Sequence, residues 1–192
     1  MSVSPHTVNS HSTGVADSGR WSTRRIAVYA MFVALAIVTS FIEVPIMPGV
    51  PYLKYDPSGI VCLIAGFAFG PSAAVIVSVL GFVPHLFIDP IGGTIAIICA
   101  LTLSVPAALI YRKIHSRSGA LLGIVVGAVI TLAAALLCNW GTVPMYYGGN
   151  TQAFLAAIVP VLLPFNLIKL VIHGVVTFLI YKPISDLLGG NR

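Results

Sequence analysis

Long apolar segments, separated by short polar ones, dominate the chain from residue 26 onwards. The first of them, Ile26–Val44, contains nineteen residues and a single charge, Glu43. A helix needs about 20 apolar residues to cross a bilayer. The pattern therefore predicts an all-α, polytopic membrane protein in which six transmembrane helices form a compact bundle with a short second span. The predicted spans are Ile26–Val44, the short Pro57–Phe69, Ser72–Ile88, a fourth that follows a turn at Asp89–Gly93 and ends at Tyr111, Ala120–Val143, and Phe154–Tyr181, whose regular part begins near Pro164.

The composition supports lipid as the main solvent of this chain. Of its 192 residues, 58% are hydrophobic and only 8% are charged, whereas soluble domains carry about 25% charged residues. The net charge of +5 comes from few residues and forms no basic stripe, so nucleic acid is not an expected partner. Cys62, Cys99 and Cys138 all lie in apolar segments without CxxC spacing, and we interpret them as small hydrophobic residues rather than as a disulfide or metal site.

Residues 1–24 differ from the rest of the chain, since Ser, Thr, His, Gly and Asn dominate them. Such a segment cannot bury apolar surface, so we expect a disordered tail. It precedes a span of full length, which is unlike a cleaved signal peptide. We therefore divide the chain into a disordered cytoplasmic tail at 1–24 and a six-helix membrane domain at 25–188.

The basic residues predict the orientation. Six spans place both termini on one side of the membrane, and Lys54 is then the only basic residue in a loop on the other side. Basic loops remain in the cytoplasm, so we expect a multi-pass protein of the cell membrane with both termini cytoplasmic. The basic residues on the terminal side are Arg20, Arg24, Arg25, those of the Arg112–Arg117 loop, Lys182 and Arg192.

Polar side chains near the end of two predicted spans are candidates for ligand binding. Asn166 and Lys169 are three residues apart and share a helical face, just after Pro164. Snorkelling to the headgroups would explain the lysine but not the asparagine, so we favour a ligand-facing edge. Asn139 and Trp140 close the fifth span, where they either cap and anchor that helix or line the same cavity.

The first loop, Pro48–Asp56, is rigid and aromatic, as a lid over a planar ligand would be. It combines prolines with two tyrosines and with Lys54 and Asp56, which we expect to pair with each other. The candidate binding residues of this loop are Tyr52, Leu53, Lys54, Tyr55 and Asp56.

The first predicted helix carries Ala30 and Ala34 at a spacing that lets another helix approach closely. The sequence contains no Walker-type phosphate loop, no GxSxG motif and no HExxH motif. We therefore expect neither enzymatic activity nor a cofactor, and any active transport would need energy from other subunits.

Three segments resemble the substrate-binding S component of energy-coupling-factor (ECF) vitamin transporters, specifically the riboflavin/flavin group. They are Pro48–Asp56 with Ser58, Ala65–Pro71 and Leu163–Lys169, and their order and spacing hold over roughly residues 25–185. The resemblance implies a six-helix bundle that captures a vitamin, with Asn139, Asn166 and Lys169 contacting the isoalloxazine ring and Pro48–Asp56 acting as the lid. It also implies that the small-residue face at Ala30 and Ala34 docks onto a transmembrane coupling protein that carries two cytoplasmic ATPases.

Three other readings remain open. The flavin group has polar residues in its third and fourth helices where this chain has Ser78, Gly81, Phe82 and Ala96, which keeps open a different vitamin or small heterocycle. A membrane-embedded enzyme or accessory subunit would have to depend on His85 and Asp89, although we expect His85 to be a histidine satisfied at the interface; the role of His173 is open. A stand-alone small transporter or channel is disfavoured because neither half of the sequence repeats the other.

Overall fold

The computed structural model describes residues 22–47, 53–142 and 150–189. The predicted tail therefore lies almost wholly outside the described residues. Helices make up most of the described chain, and a π-helical turn at Ile158–Leu162 connects the last two. The helices are α1 (Thr23–Ser40), α2 (Ser58–Phe69), α3 (Pro71–Leu80), α4 (Val83–Ile88), α5 (Pro90–Lys113), α6 (Arg117–Gly141), α7 (Thr151–Ala157) and α8 (Leu163–Gly189).

Among the described residues, five segments are long and apolar enough to cross a membrane, as the predicted bundle requires. They are Thr23–Ser40, Pro71–Ile88, Pro90–Lys113, Arg117–Gly141 and Phe154–Pro183. The predicted short second span is α2, which has 12 residues and a length of only about 18 Å at 1.5 Å per residue. The all-α membrane architecture is confirmed, with α2 as a sixth, shorter member of the bundle.

The outer surface of the bundle is apolar. Val38 on α1, Val129 on α6 and Leu179 on α8 are each more than 60% exposed. A water-facing surface would not present so many large aliphatic side chains together, so these faces are suited to lipid.

Two predicted boundaries are wrong, and one predicted span has the expected extent but is interrupted. The first helix ends at Ser40 rather than at Val44, since Val44 precedes a proline and is held extended. Residues 89–93 are not a turn, because Asp89 caps the amide of Gly92 at 3.0 Å and α5 begins at Pro90. The third span is divided into α3 and α4 at Gly81–Phe82.

Two short strands lie in the connection between α1 and α2 in the described part of the chain. The strands β1 (Val44–Pro45) and β2 (Lys54–Tyr55) pair antiparallel, with Val44 opposite Tyr55 and Pro45 opposite Lys54. The pairing returns the chain from the end of α1 to the start of α2.

The short α2 lies at the centre of the bundle. Every residue from Ser58 to Ala68 is buried, and the helix contacts α1, α3, α5 and α8. A helix that is apolar on all sides, as this one is, has no lipid- or water-facing side. The other helices therefore enclose α2, and the site described below lies at its amino end.

Close packing of α5 against α6 fixes the position of the end of α6. A Cβ on Gly123 would lie 2.7 Å from the carbonyl oxygen of Ala107, and one on Gly127 would clash with the carbonyl of Leu103. Only glycine allows this approach. One face of α6 is thereby held against α5.

Candidate ligand-binding site

A cavity of about 490 Å³ lies at the amino end of α2. Its volume is within the range of about 300–1,000 Å³ that is usual for small-molecule sites. Its walls come from the end of α1, β2, the start of α2, α4, the amino-terminal part of α5, α6 and α8. The polar residues that line it are Ser40, Glu43, Lys54, Asp56, Ser58, His85, Asp89, Thr131, Asn139, Asn166, Lys169 and His173.

An ion pair between Asp56 and Lys169 stands in the wall of this cavity. The ammonium Nζ of Lys169 lies 2.7 Å from Oδ2 of Asp56, and the two side chains are 25% and 12% exposed. Burial by itself would raise the pKa of the Asp56 carboxyl, but the charge and hydrogen bond of Lys169 outweigh it and hold that pKa below its ordinary value. Lys169 therefore forms an ion pair inside the bundle rather than extending to the lipid headgroups.

Asp56 is held by further hydrogen bonds beyond this pair. The backbone amide of Ser58 donates to Oδ1 at 3.2 Å, and the Ser58 hydroxyl also donates to this oxygen. The carbonyl oxygen of Asp56 lies 2.9 Å from Nε2 of His173. A carbonyl can only accept, so Nε2 of His173 carries the proton. These bonds fix the end of the first loop against α8.

The remaining nitrogen of His173 has no hydrogen-bond partner among the described residues. Nδ1 is fully buried, and a Cβ on Gly59 would lie 2.5 Å from it. The imidazole therefore packs directly on the backbone of α2. Glycine at position 59 is required for this contact.

Two asparagines line the cavity from α6 and α8. The amide nitrogen of Asn139 donates to the carbonyl of Ala135 at 2.7 Å, and that of Asn166 donates to the carbonyl of Leu162 at 2.8 Å. Each side chain is thereby fixed on its own helix, while its amide oxygen keeps no protein partner among the described residues. Each amide oxygen therefore keeps its capacity to accept a hydrogen bond.

The structure brings together six of the nine predicted binding residues, and they line one cavity. They are Leu53, Lys54, Asp56, Asn139, Asn166 and Lys169. Tyr55 instead packs its ring against His173, with 5.4 Å between the centroids. Trp140 is half exposed and packs edge-on against Phe154 at 5.5 Å. Tyr52 lies outside the described residues.

The expected pairing of Lys54 with Asp56 is wrong. Lys54 pairs with Glu43 at 2.5 Å, while Asp56 pairs with Lys169. Antiparallel pairing of Pro45 with Lys54 brings the end of α1 close to β2, which explains the first pair. Because Glu43 is predicted to lie in the first helix, the sequence gives no reason to pair it with Lys54.

Sequence reasoning missed the wall formed by α4 and α5. His85 was expected to be satisfied at the membrane interface; it lines the cavity, bonds to Ser40 at 2.9 Å and stacks on Phe41 at 4.5 Å. Asp89 lines the cavity one turn later. The four-residue spacing of His85 and Asp89 is evident from the sequence, but it does not indicate which side of the helix lines a cavity.

The two predicted docking residues lie on the outer side of the bundle. Ala30 and Ala34 are exposed, whereas the buried face of α1 carries Tyr29, Phe32 and Ala36. The small-residue face is thus open in this chain.

Comparison with known proteins gives a consistent picture. The family model "ECF transporter, substrate-specific component" matches residues 24–181. The chain is 29% identical over 174 residues to the riboflavin transporter RibU of Staphylococcus aureus (86% of this chain, 92% of that protein). It is 28% identical over 183 residues to the riboflavin transporter FmnP of Bacillus subtilis (88% and 96%). A solved structure described as "Structure and mechanism of the S component of a bacterial ECF transporter" superposes with a TM-score of 0.74 at 26% identity, covering 86% of this chain and 97% of the other.

Proposed function

Since the chain belongs to the family of substrate-specific components of ECF transporters, we propose that it captures riboflavin or a related flavin for import. Members of this family are transporter subunits in the membrane and not enzymes. Two similar proteins are riboflavin transporters by name. The ligand is a transported substrate in this proposal, and no cofactor is required.

The observation that carries the proposal is the convergence of Asn139, Asn166 and Lys169 on one cavity. An isoalloxazine ring presents several carbonyl and ring-nitrogen acceptors and one N–H donor along its pyrimidine edge. An ammonium has three donors, of which Asp56 takes one, and each amide offers both a donor and an acceptor. These groups match the pyrimidine edge of a flavin in number and type.

The proposal includes the rest of the transporter. The chain contains no ATP-binding motif, so uptake would require a transmembrane coupling protein and two cytoplasmic ATPases. The exposed face at Ala30 and Ala34 is the proposed docking surface for the coupling protein. With both termini cytoplasmic, the cavity would open to the extracytoplasmic side, where the vitamin is captured. Trp140, Tyr52 and Tyr55 remain predicted to supply aromatic surface near the ligand.

Riboflavin binding by the purified protein tests the proposal. Riboflavin fluorescence is titrated with protein in detergent, using the wild type, Asn166→Ala and Lys169→Ala. Removing a buried hydrogen-bonding group should weaken binding by about ten- to a hundredfold. Lys182→Ala, a lysine exposed at the far end of α8, is the matched control and should bind as the wild type does. Unchanged affinity in both site variants would contradict the proposed site.

A different vitamin is the second candidate, because Phe82 and Ala96 give the cavity an apolar wall. Mass spectrometry of small molecules retained by the purified protein distinguishes the two. A yellow preparation that releases riboflavin supports the first candidate, and release of another heterocycle supports the second.

A further inference from the structure

Two sets of polar residues that line the cavity come from different helices, and only one set is used by the proposed ring contacts. Asn139, Asn166 and Lys169 come from α6 and α8, whereas His85 and Asp89 come from α4 and the start of α5. A flavin also has two chemically distinct parts, a planar ring and a chain that carries hydroxyl groups. The second set of residues is therefore free for the second part of the ligand.

The earlier positions of the third span cannot hold that chain. Ser78 is fully buried and bonds to Ser104 at 2.9 Å. Gly81 packs on Ala36, since a Cβ there would lie 2.7 Å from that side chain. Phe82 lines the cavity but offers no polar atom. His85 is the first polar residue along this segment that lines the cavity.

The hydrogen bonds of Ser40 determine which nitrogen of His85 is free. The Ser40 hydroxyl donates to the carbonyl of Ile37 at 2.7 Å. Its oxygen must therefore accept the 2.9 Å bond from Nε2 of His85. In the neutral imidazole, Nδ1 is then an acceptor, and it has no hydrogen-bond partner among the described residues. Stacking on Phe41 keeps the ring in this orientation.

Asp89 provides a second acceptor one turn away. Its Oδ1 accepts from the amide of Gly92 at 3.0 Å and so caps α5. No cation lies within ion-pair distance of this carboxylate in the described part of the chain, and its Oδ2 keeps its capacity to accept hydrogen bonds. Two acceptors on successive turns suit a chain of neighbouring hydroxyl donors.

We propose that His85 and Asp89 bind the hydroxylated side chain of the flavin, while the residues of α6 and α8 bind its ring. This inference rests on the proposed function and assigns the ligand's orientation in the cavity. It would also account for polyol binding although Ser78 is buried against Ser104 and neither Gly81 nor Phe82 offers the cavity a polar side-chain atom.

Two ligands separate the two parts of the site. Riboflavin and lumiflavin share the isoalloxazine ring, but lumiflavin carries a methyl group in place of the hydroxylated chain. His85→Phe keeps an aromatic ring on Phe41 and loses both nitrogens. Asp89→Asn keeps a good helix cap and loses the carboxylate. We expect each variant to weaken riboflavin binding by about tenfold and to change lumiflavin binding by less than twofold.

The controls make the outcome specific. Asn166→Ala should weaken both ligands, and His115→Phe, the same substitution outside the cavity, should weaken neither. Gel filtration and thermal unfolding establish whether each variant is folded. If His85→Phe is not folded, Asp89→Asn alone decides the test. Equal loss for both ligands, or no loss for riboflavin, overturns the inference. If the wild type binds neither flavin, the proposed function itself fails.

Discussion

Asp56 and Lys169 are 113 positions apart in the chain, yet their carboxylate and ammonium lie 2.7 Å from each other inside the bundle. The pair joins the loop before α2 to α8. Since both elements line the cavity, the pair connects the proposed lid to the proposed ring-binding residues. Neither charge can be removed without leaving the other partly buried and unpaired.

The first prediction concerns this pair. Asp56→Asn should lower the free energy of unfolding by about 3 kcal/mol, the low end for a broken buried ion pair, because the cavity leaves both side chains partly solvated. The double variant Asp56→Leu with Lys169→Met should recover most of this loss, since it buries no charge. Thermal unfolding in detergent without ligand measures both. A double variant less stable than Asp56→Asn would contradict the expectation.

The second prediction concerns pH. The folded-state pKa of Asp56 lies below its ordinary value of 3.8, so its contribution to stability is fully present above that value and is lost as the pH falls through the folded pKa. Thermal stability that depends on this group should thus be constant from pH 7 to 5 and fall below about pH 4. Asp56→Asn should show a smaller decline in that acidic range. Identical profiles for the two proteins would show that another group is responsible.

The third prediction tests the contact between α2 and His173. Gly59→Ala places a methyl group 2.5 Å from the imidazole and should cost about 1–3 kcal/mol of stability through overpacking. Adding His173→Ala makes room for the methyl group and should restore part of the loss. Unfolding temperatures of the single and double variants provide the measurement. The absence of any coupling between the two substitutions would refute the close contact.

The fourth prediction separates capture from transport. Ala30→Trp or Ala34→Trp should abolish riboflavin uptake by cells while binding to the purified protein stays unchanged, because both alanines are exposed on α1 and neither lines the cavity. Leu179→Trp, on the exposed face of α8, is the matched control. Normal uptake by both alanine variants would remove the docking surface from the proposal.

The hydrophobic pattern of the sequence was sufficient to predict the helical architecture. The lengths of the apolar segments predicted the bundle and the shortness of α2, because the thickness of a bilayer restricts the length of any spanning helix. The boundary at Asp89 was missed because an Asp-Pro-Ile-Gly-Gly sequence also describes a turn. Here the same residues form a capped helix start.

The site was only partly predictable. Asn166 and Lys169 were identified from their cost within an apolar helix, which is a local property. The ion-pair partners of Lys54 and Asp56 could not be identified from the sequence, since they depend on strand register and on which helix face meets the loop. Nor could the sequence indicate that His85 faces the same cavity as Asn166.

The shortness of α2 has a consequence for how such a protein could change its cargo. A spanning helix would be about 30 Å long, so the 12 residues of α2 fall about 12 Å short of that length. The volume available to a substrate thus depends on the length of this enclosed helix rather than on the size of the side chains that line the cavity. Adding or deleting a turn at Ser58 would resize the chamber while leaving the lipid-facing shell and the surface at Ala30 untouched.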